Sequence, residues 1–367
     1  MSMNQELPYR IGITLIPKIG AVNAKKLIAY CGGVEAVFKE KKKALMKIPG
    51  IGENIVRNLL NQSVLKRAEQ EIEFITKHNI QPLFYTDTEY PQRLLHCEDG
   101  PVMLYYKGNK PLNGTRVLAV VGTRRATPYG RIMCEKILEG LKEKEVTVVS
   151  GLAYGVDSCA HRHALKMNFP TIGVLGHGLD RIYPAENRNL AEKMVSNGGL
   201  LTEFLSQTNP DRENFPKRNR IIAGISDATL VIESGKKGGA IITAELAFSY
   251  NRDVFAVPGR ANDAFSKGCN YLIKVNKAAM VESADDLAYL LGWDNVEKKP
   301  NQQPELFVTL TDEEHKIYQI LKENGECGMD DLMVKSRLPV SKIAASLLNL
   351  EFQGMVITLP GNRYKLK

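Results

Sequence analysis

The chain has 367 residues, of which 44% are hydrophobic and 25% charged, a composition typical of a globular protein with two or three domains. Its formal net charge of +8 permits a nucleic-acid partner without proving one. The six cysteines are scattered and form no Cys-x-x-Cys pair, which argues against a zinc ribbon and a secreted disulfide framework. The N-terminus has no apolar signal core and no run reaches ~18 apolar residues, so we expect a soluble, cytoplasmic protein without a membrane span.

Residues 7–79 predict an all-helical segment with two similar glycine turns. The turns are Ile16-Pro17-Lys18-Ile19-Gly20 and Ile48-Pro49-Gly50-Ile51-Gly52, and they precede the predicted helices Ala21–Tyr30 and Glu53–Gln62. Pro-Gly-Ile-Gly between helices resembles the helix-hairpin-helix module, which holds nucleic-acid phosphates through backbone N–H groups. The second copy matches well, but the first has Lys18 at the first glycine of the pattern. DNA contact and tight helix packing both stay open, because Glu40 and Glu53 dilute the positive charge.

Between Val117 and Val281, short apolar runs alternate with amphipathic stretches. This alternation of strand and helix predicts an α/β fold built on an extended Rossmann-like, doubly wound sheet. The predicted strands are Val117–Val121, Val146–Ser150, Thr171–Leu175, Leu200–Glu203, Thr229–Glu233, Val254–Val257 and Ala279–Val281, after a separate strand at Val102–Tyr106. The predicted helices between them are Gly130–Lys142, Val156–Lys166, Ala185–Ser196, Lys217–Ala223, Ile241–Ser249 and Cys269–Lys274.

The strand at Val117–Val121 runs into a glycine turn with two arginines, Gly122-Thr123-Arg124-Arg125. A strand that enters a helix through such a turn points unpaired backbone N–H groups and the positive end of the helix dipole at one place, which suits an anion. Ligands of doubly wound sheets bind beyond the carboxyl ends of the strands. Glycines or basic residues also follow the later strands, at 151–157, 176–180, 217–220 and 235–240. Together they predict an anion-binding crevice, although any single turn could be a solvated loop.

Three basic residues, Lys217, Arg218 and Arg220, follow a proline that suits the first turn of a helix. The helix dipole disfavours cations in that turn by a few tenths of a kcal/mol to about 1 kcal/mol. A bound polyanion would reverse this balance. Alternatively, the side chains extend into water or pair with Asp211 and Glu213.

Residues 294–308 begin with a polar, proline-containing stretch and are predicted to be a linker. Residues 309–367 predict a small winged-helix domain. Its predicted parts are helices Asp312–Asn324, Gly328–Lys335 and Pro339–Gln353, and a hairpin of Met355–Leu359 and Tyr364–Leu366 that turns at Pro360-Gly361-Asn362. The third helix offers only Ser341, Lys342 and Asn349 for base reading, so a protein contact or an architectural role is equally open.

Several kinds of chemistry have no signal in the sequence. The first turn lacks the Gly-x-Gly-x-x-Gly of a dinucleotide site and no Walker A lysine motif occurs, so no cofactor is expected. His161 and His163 are two positions apart on a predicted helix and face different sides, so no metal site is expected. Asp157, Asp180 and Glu245 are candidate carboxylates of a nucleotide hydrolase, or simply caps of helices and loops.

The motifs together resemble the DNA-processing protein A (DprA/Smf) family over nearly the whole chain. The matching pieces are Tyr90-Pro91, Val121-Gly122-Thr123-Arg124, residues 151–157, residues 175–184, residues 215–224 and residues 238–244, in this order. Their order and spacing are far more specific than any single glycine loop. The family usually has Ser-Gly-Ser or Ser-Gly-Thr where this chain has Lys237-Gly238-Gly239-Ala240. Backbone N–H groups and Lys237 would therefore replace hydroxyl contacts to phosphate.

The resemblance implies an extended Rossmann-like domain at 83–293, between an all-helical domain at 1–82 and the winged helix at 309–367. It implies a protein without catalytic activity that binds and protects incoming single-stranded DNA and loads the RecA recombinase during natural transformation. It also implies a homodimer formed through the central domain, with no cofactor. The residues expected at the DNA-binding site are Gly122, Thr123, Arg124, Gly151, Lys217, Arg218, Arg220, Lys237, Gly238 and Gly239.

Two other functions stay open. Gly238-Gly239 with Thr243 and Glu245 faintly resembles the loop of Rossmann-like nucleotide phosphoribohydrolases, which would release free base from nucleoside monophosphates. A DNA-binding regulator would instead act through the winged helix on duplex DNA. Phe215 is expected either to stack on a base or to pack the start of its helix.

Overall fold

The computed structural model describes residues 3–60, 63–293, 310–359 and 363–366. The chain divides into two compact units, Met1–Asp294 and Asn295–Lys367. The predicted linker at 294–308 lies outside the described residues, as do the end of the predicted helix Glu53–Gln62 and the hairpin turn at 360–362. Within the described residues, no helix is both long and apolar enough to cross a membrane.

The first unit begins with six helices. They are α1 Met3–Leu15, α2 Ala21–Cys31, α3 Val34–Lys39, α4 Lys42–Leu45, α5 Glu53–Leu60 and α6 Ser63–Lys77. The two glycine turns stand directly before α2 and α5, as the sequence predicts. The core of these helices includes Leu27, Val37 and Leu59, and it also takes in Phe84 and Tyr105 from two strands that follow. The helices therefore pack against one end of the sheet.

A nine-stranded sheet forms the centre of this unit. Its strands are β1 Gln81–Phe84, β2 Met103–Gly108, β3 Arg116–Val121, β4 Val146–Ser150, β5 Thr171–Val174, β6 Gly198–Thr202, β7 Ala228–Val231, β8 Asp253–Ala256 and β9 Ala279–Met280. Their order is β1-β2-β6-β5-β4-β3-β7-β8-β9. Strands β3 to β9 are parallel to their neighbours, whereas β1 and β2 add antiparallel pairs at one edge. The predicted doubly wound α/β sheet is confirmed.

Strand β3 marks the point where the strand order reverses, because it pairs with β4 on one side and with β7 on the other. In register, Val121 at the end of β3 stands opposite Val231 at the end of β7. Residues 117–121 are fully buried, as expected for a parallel strand covered on both faces. A ligand crevice of such a sheet is expected beyond these two strand ends.

Helices cover both faces of the sheet. They are α7 Gln92–Leu95, α8 Pro128–Gly140, α9 Val156–Lys166, α10 Arg188–Ser196, α11 Asn214–Ile225, α12 Gly239–Ser249, α13 Lys267–Lys274 and α14 Ala284–Leu290, with short 3₁₀ turns at Lys142–Lys144 and Ala185–Asn187. One core joins α11, α12 and α13 to the sheet, and the other joins α8, α9 and α14 to it. Strand β1 and helices α7 and α14 are elements that the sequence pattern did not predict.

The second unit has the predicted winged-helix arrangement. Its elements are α15 Asp312–Asn324, β10 Cys327–Gly328, α16 Met329–Ser336, α17 Val340–Phe352, β11 Val356–Leu359 and β12 Arg363–Leu366. The strands form a small sheet in the order β10-β12-β11. A core of buried side chains, among them Ile317, Leu332 and Leu350, holds the three helices together. The short strand β10 was not predicted.

Candidate nucleic-acid interface

The turn after β3 is tied to both neighbouring strand ends. The backbone N–H of Thr123 donates to the Glu233 carbonyl after β7 at 2.7 Å, and the Thr123 carbonyl accepts from the N–H of Val156, at the start of α9, at 3.1 Å. A Cβ atom at Gly122 would lie 2.4 Å from a methyl group of Val156. Only glycine fits this turn, because α9 begins directly against its backbone.

A buried carboxylate fixes the start of α8 beside the same turn. Glu233, 3% exposed, accepts from the Thr127 N–H at 2.9 Å and from the Thr127 hydroxyl at 2.6 Å. The Thr127 oxygen in turn caps α8 by accepting from the Gly130 N–H at 3.2 Å. The segments that follow β3 and β7 are therefore joined by side-chain as well as backbone hydrogen bonds.

An open cavity of ≈ 900 Å³ lies at this point. Most of its lining comes from three stretches: residues 121–125 at the end of β3, residues between Ser234 and Ala240 after β7, and residues between Pro210 and Ile222 around the start of α11. Seven of the ten predicted site residues line it: Gly122, Thr123, Arg124, Arg218, Lys237, Gly238 and Gly239. Gly151 lines a small adjoining cleft of ≈ 40 Å³ together with Tyr154 and Tyr183.

The turn before α12 presents backbone to the cavity. Gly238 is the N-cap residue of α12, and no side chain caps this helix. A Cβ atom built on Gly239 would meet no other atom within 4 Å, so the first turn of α12 is open toward the cavity. Lys237 is exposed beside it. This combination of free N–H groups, a helix N-terminus and an ammonium group suits a phosphate.

Aromatic side chains stand next to the cationic ones. The Arg124 guanidinium carbon lies 5.3 Å from the centre of the Phe215 ring, and that of Arg218 lies 5.8 Å from it. The Tyr183 and Phe215 ring centres are 6.1 Å apart, at an interplanar angle of 43°. Arg124 and Tyr183 are exposed, while Phe215 is half-buried. The rings of Tyr183 and Phe215 therefore form an aromatic edge beside the cationic part of the cavity.

Arg218 lines the floor of the cavity, but its side chain is almost wholly buried. It is 4% exposed and donates to the Val174 carbonyl at 3.1 Å. Burial lowers the pKa of Arg218 to about 10, against the opposing effect of Asp157. A Cβ atom at Gly151 would overlap the guanidinium, at 1.5 Å from its Nη1 atom. Gly151 is therefore a glycine because the Arg218 side chain passes over it, a steric role that differs from contact with DNA.

Asp157 is the buried partner of this arginine. Burial raises the pKa of Asp157, and the positive charge of Arg218 opposes that rise. Its carboxylate also accepts from the Ala153 N–H at 3.3 Å. The two side chains are thus opposite charges buried in the same region, where Arg218 passes over the loop after β4 and bonds to the end of β5.

Lys217 and Arg220 do not line the main cavity. Both lie on a second depression of ≈ 370 Å³ between the N-terminal helices and the sheet. Arg220 there donates to the Glu203 carboxylate and to the Asp99 carbonyl. Successive side chains of a helix point about 100° apart, so residues directly beside the inward-facing Arg218 face elsewhere. The expected convergence of the whole cluster 217–220 on one pocket is corrected accordingly, and Arg220 pairs with a glutamate that is distant in sequence.

The lining also includes residues that were not among the predicted site residues, for example Tyr183, Arg212 and Phe265. Arg212 lies in the loop before α11 and is exposed. Its position after a predicted strand end was the signal available in the sequence. Phe265 comes from a loop that no motif marked.

The three candidate carboxylates are engaged in contacts of their own. Asp180 pairs with Arg181 at 2.8 Å and accepts from the Gln207 N–H at 2.9 Å, and Glu245 pairs with Lys277 at 3.0 Å. Asp157 is buried against Arg218, as described above. In the described residues, no group of three or more His, Cys, Asp or Glu side chains is placed to hold a metal ion.

Comparison with known families gives two matches in this chain. A sequence model described as DNA recombination-mediator protein A matches residues 81–292. A second, described as the DprA winged helix domain, matches residues 297–362. The first covers the sheet and its cavity, and the second covers most of the smaller unit.

Individual proteins agree with these matches. The Smf protein of Synechocystis is 33% identical over 99% of both chains. The crystal structure of DNA processing protein A from Streptococcus pneumoniae superposes with a TM-score of 0.65 at 33% identity, covering 77% of this chain and 97% of that one. A Helicobacter pylori DNA processing protein A, whose structure was determined for its single-stranded DNA binding mode, gives 0.53 at 29% identity, covering 59% and 96%.

Proposed function

The chain belongs to the DNA recombination-mediator protein A (DprA/Smf) family, and from that membership we propose that it binds single-stranded DNA in the cavity between β3 and β7. The observation that carries the proposal is the meeting of two glycine turns, 122–124 and 237–239, with Arg124 and Lys237 at the reversal point of the sheet. The relative from H. pylori, a binder of single-stranded DNA, supports the choice of ligand.

The phosphate backbone is the part of the ligand that the turns recognise. Arg124, Arg125, Arg212 and Lys237 are exposed cations on the cavity wall, whereas Arg218 is buried. Each charge-assisted hydrogen bond to phosphate contributes roughly 1.5–3 kcal/mol. The open start of α12 adds backbone N–H donors. These donors bond to phosphate in place of the hydroxyl side chains that the family usually has at this turn.

The aromatic edge accounts for a preference for single strands. Unstacked bases can lie against Tyr183 and Phe215 only when the strand is unpaired, and each stacked base contributes about 1–3 kcal/mol. A duplex is too stiff to follow the turn from these rings into the cavity, since its persistence length is about 150 base pairs. Binding through phosphates and ring faces is independent of sequence.

Within the same proposal, the protein acts in the cytoplasm, protects incoming single strands and loads the RecA recombinase onto them during natural transformation. Family membership supports this finer role. The protein forms a homodimer through the Rossmann-like domain, and exposed apolar side chains on α12 and α13, Ile242, Phe248 and Tyr271, support a protein contact there. Sedimentation of the full chain and of Phe248→Glu tests the dimer, which the variant is expected to dissociate.

We also propose that the protein is a binding protein rather than a phosphoribohydrolase. Its candidate carboxylates support this, because Asp180 and Glu245 are paired with cations and Asp157 is buried. Incubation with nucleoside monophosphates is expected to yield no free base, and release of base would overturn this part of the proposal.

The cavity is tested by binding of oligo-dT to the full chain and to the double variant Arg124→Ala, Lys237→Ala. Both side chains are exposed, so the fold is expected to survive their removal. The variant is expected to bind oligo-dT more weakly. The control is Lys142→Ala, which removes an exposed charge just past the C-terminal end of α8 that does not line the cavity. Equal binding by all three proteins would place the ligand elsewhere.

A further inference from the structure

The N-terminal helices contain a repeated unit that the single-strand cavity does not use. The turn that ends at Gly20 recurs 32 positions later in the turn that ends at Gly52. Both turns close alike, because the N–H of the second isoleucine donates to the carbonyl of the first at 3.1 Å in each copy. A helix follows each turn, α2 in the first copy and α5 in the second.

The substitution in the first copy keeps the hairpin conformation. Lys18 adopts a φ of 67°, and its counterpart Gly50 has a φ of 83°. The left-handed conformation is strained for lysine, so the surrounding turn imposes it. The departure from the glycine pattern therefore leaves the hairpin intact and places an exposed ammonium group at its tip.

The two hairpins are held together by a reciprocal pair of hydrogen bonds. Lys26 on α2 donates to the Pro49 carbonyl of the second hairpin at 3.0 Å. Asn58 on α5 donates to the Pro17 carbonyl of the first hairpin at 3.2 Å. The donors Lys26 and Asn58 are 32 positions apart, and so are the acceptors Pro17 and Pro49. Each hairpin is therefore bonded to the helix that follows the other hairpin. This reciprocity is the sign of a local two-fold axis between the copies.

The segment that forms these hairpins has an excess of basic residues. Residues 16–60 carry nine lysines and arginines against three glutamates, a net charge of +6, while the whole chain has +8. Two of the glutamates are neutralised locally, Glu35 by Lys39 at 2.6 Å and Glu53 by Lys42 at 2.7 Å. The charge that remains belongs largely to exposed lysines at and beside the hairpins, Lys18, Lys41, Lys43 and Lys47.

Backbone at both hairpins is accessible to a large ligand. A Cβ atom built on Gly20 or Gly52 would meet no other atom within 4 Å, and both residues are exposed. An anion can therefore reach the N–H groups of both turns without displacing protein atoms.

We propose that the paired hairpins form a second nucleic-acid site that binds duplex DNA, one hairpin on the phosphates of each strand. The strands of a duplex are related by local two-fold axes, so two copies of one phosphate-binding turn related by a two-fold axis match them. A single strand has no such symmetry. The contacts are to phosphate, so binding is independent of sequence and strongly dependent on salt.

The test uses the full chain with two ligands, a short blunt-ended duplex and oligo-dT of the same length, measured by fluorescence anisotropy over a salt series. One variant, Lys18→Gly with Lys47→Ala, removes hairpin charges, and glycine relieves the strained backbone at the first position. A second, Gly52→Asp, places a carboxylate before α5, where aspartate is a good helix cap, so stability is expected to hold. The cavity variant Arg124→Ala, Lys237→Ala and the surface control Lys142→Ala complete the set.

On duplex, Gly52→Asp is expected to weaken binding about tenfold or more, and the lysine variant to reduce the log–log salt slope by about 1.8, from ~0.9 per phosphate contact. Oligo-dT affinity of both is expected to stay within about twofold of the wild type, while the cavity variant shows the opposite pattern.

The inference would be overturned if the wild-type protein did not bind duplex, or if the hairpin variants bound duplex as tightly as the wild type. Equal losses on both ligands would also overturn it, because the hairpins would then belong to the single-strand path. Failure of the wild type to bind oligo-dT, with the duplex effects intact, would instead refute the proposed function and leave this inference standing.

Discussion

Replacing Arg218 by methionine removes the buried cation in the floor of the cavity. Arg218 is 4% exposed and Asp157 8%, and Arg218 opposes the rise in the pKa of Asp157 that burial causes. Methionine occupies much of the space of the arginine stem, so the main consequence is a buried carboxylate without its cation. In the variant, Asp157 escapes this state by taking up a proton.

The size of the effect follows from that proton. With an unfolded-state pKa of about 3.9, holding the carboxyl neutral at pH 7 costs about 4 kcal/mol, at about 1.36 kcal/mol per pH unit. This is an upper bound, close to the 3–5 kcal/mol typical of breaking a buried pair. Because the folded-state pKa of Asp157 is raised, the penalty grows as pH rises above the unfolded-state pKa. At pH 5 it is about 1.5 kcal/mol, so about 2.7 kcal/mol separates the two conditions.

Removal of Arg218 also relieves the cost of burying its own charge. That relief is constant between pH 5 and pH 7, because the pKa of Arg218 is lowered only to about 10 and the side chain stays protonated throughout this range. The pH dependence therefore isolates the carboxylate. Replacing Asp157 by asparagine in the same chain is expected to abolish it.

Urea unfolding at pH 5 and pH 7 measures the free energy of unfolding of three proteins: the wild type, Arg218→Met, and Arg218→Met with Asp157→Asn. The single tryptophan of the chain, Trp293, is buried in the core beside α8 and α14, so its fluorescence reports on the first unit. Arg218→Met is expected to lose up to about 2.7 kcal/mol more than the double variant on going from pH 5 to pH 7. The same pH dependence in the wild type and in Arg218→Met would refute the pairing, because the carboxylate of Asp157 would then titrate alike with and without Arg218.

Further predictions concern the cavity wall. Gly122→Ala drives a Cβ atom to within 2.4 Å of Val156 and is expected to lower both the unfolding midpoint and oligo-dT affinity, whereas unchanged stability would contradict the packing of the turn against α9. Gly239→Ala meets no atom within 4 Å and is expected to stabilise the fold by about 0.4–1 kcal/mol while weakening oligo-dT binding, because its methyl group stands where phosphate approaches. Binding titrations beside thermal unfolding separate the two effects. Phe215→Leu is expected to weaken oligo-dT binding by about 1–3 kcal/mol if a base stacks on the ring. Unchanged affinity would mean that Phe215 only packs the start of α11.

The sheet was predictable because its signals are local and repeated. Buried parallel strands read as short apolar runs, and the predicted β4 and α9 match the observed bounds. Strand β1 was missed because Gln81–Phe84 is short and contains a proline, and such a strand forms only by pairing with β2. The short strand β10 likewise depends on its partner, β12.

The site was predictable as a set of loops but not as a set of side-chain directions. The rule for strand ends brought Gly122, Arg124 and Gly239 to one cavity. It gave no indication that Arg218 would be buried over Gly151 or that Arg220 would pair with Glu203. Those outcomes depend on which face of α11 meets the sheet and on a carboxylate supplied by a distant loop, and neither is encoded in the local pattern.

The salt dependence of oligo-dT binding tests the central claim most directly. Four exposed cations on the cavity wall predict a log–log slope of about −2.8 for the wild type, at ~0.7 per phosphate of a single strand. Removing Arg124 and Lys237 together predicts a slope of about −1.4 with weaker binding at every salt concentration. A double variant that keeps the wild-type slope and affinity would contradict the assignment of the cavity between β3 and β7 as the single-strand site.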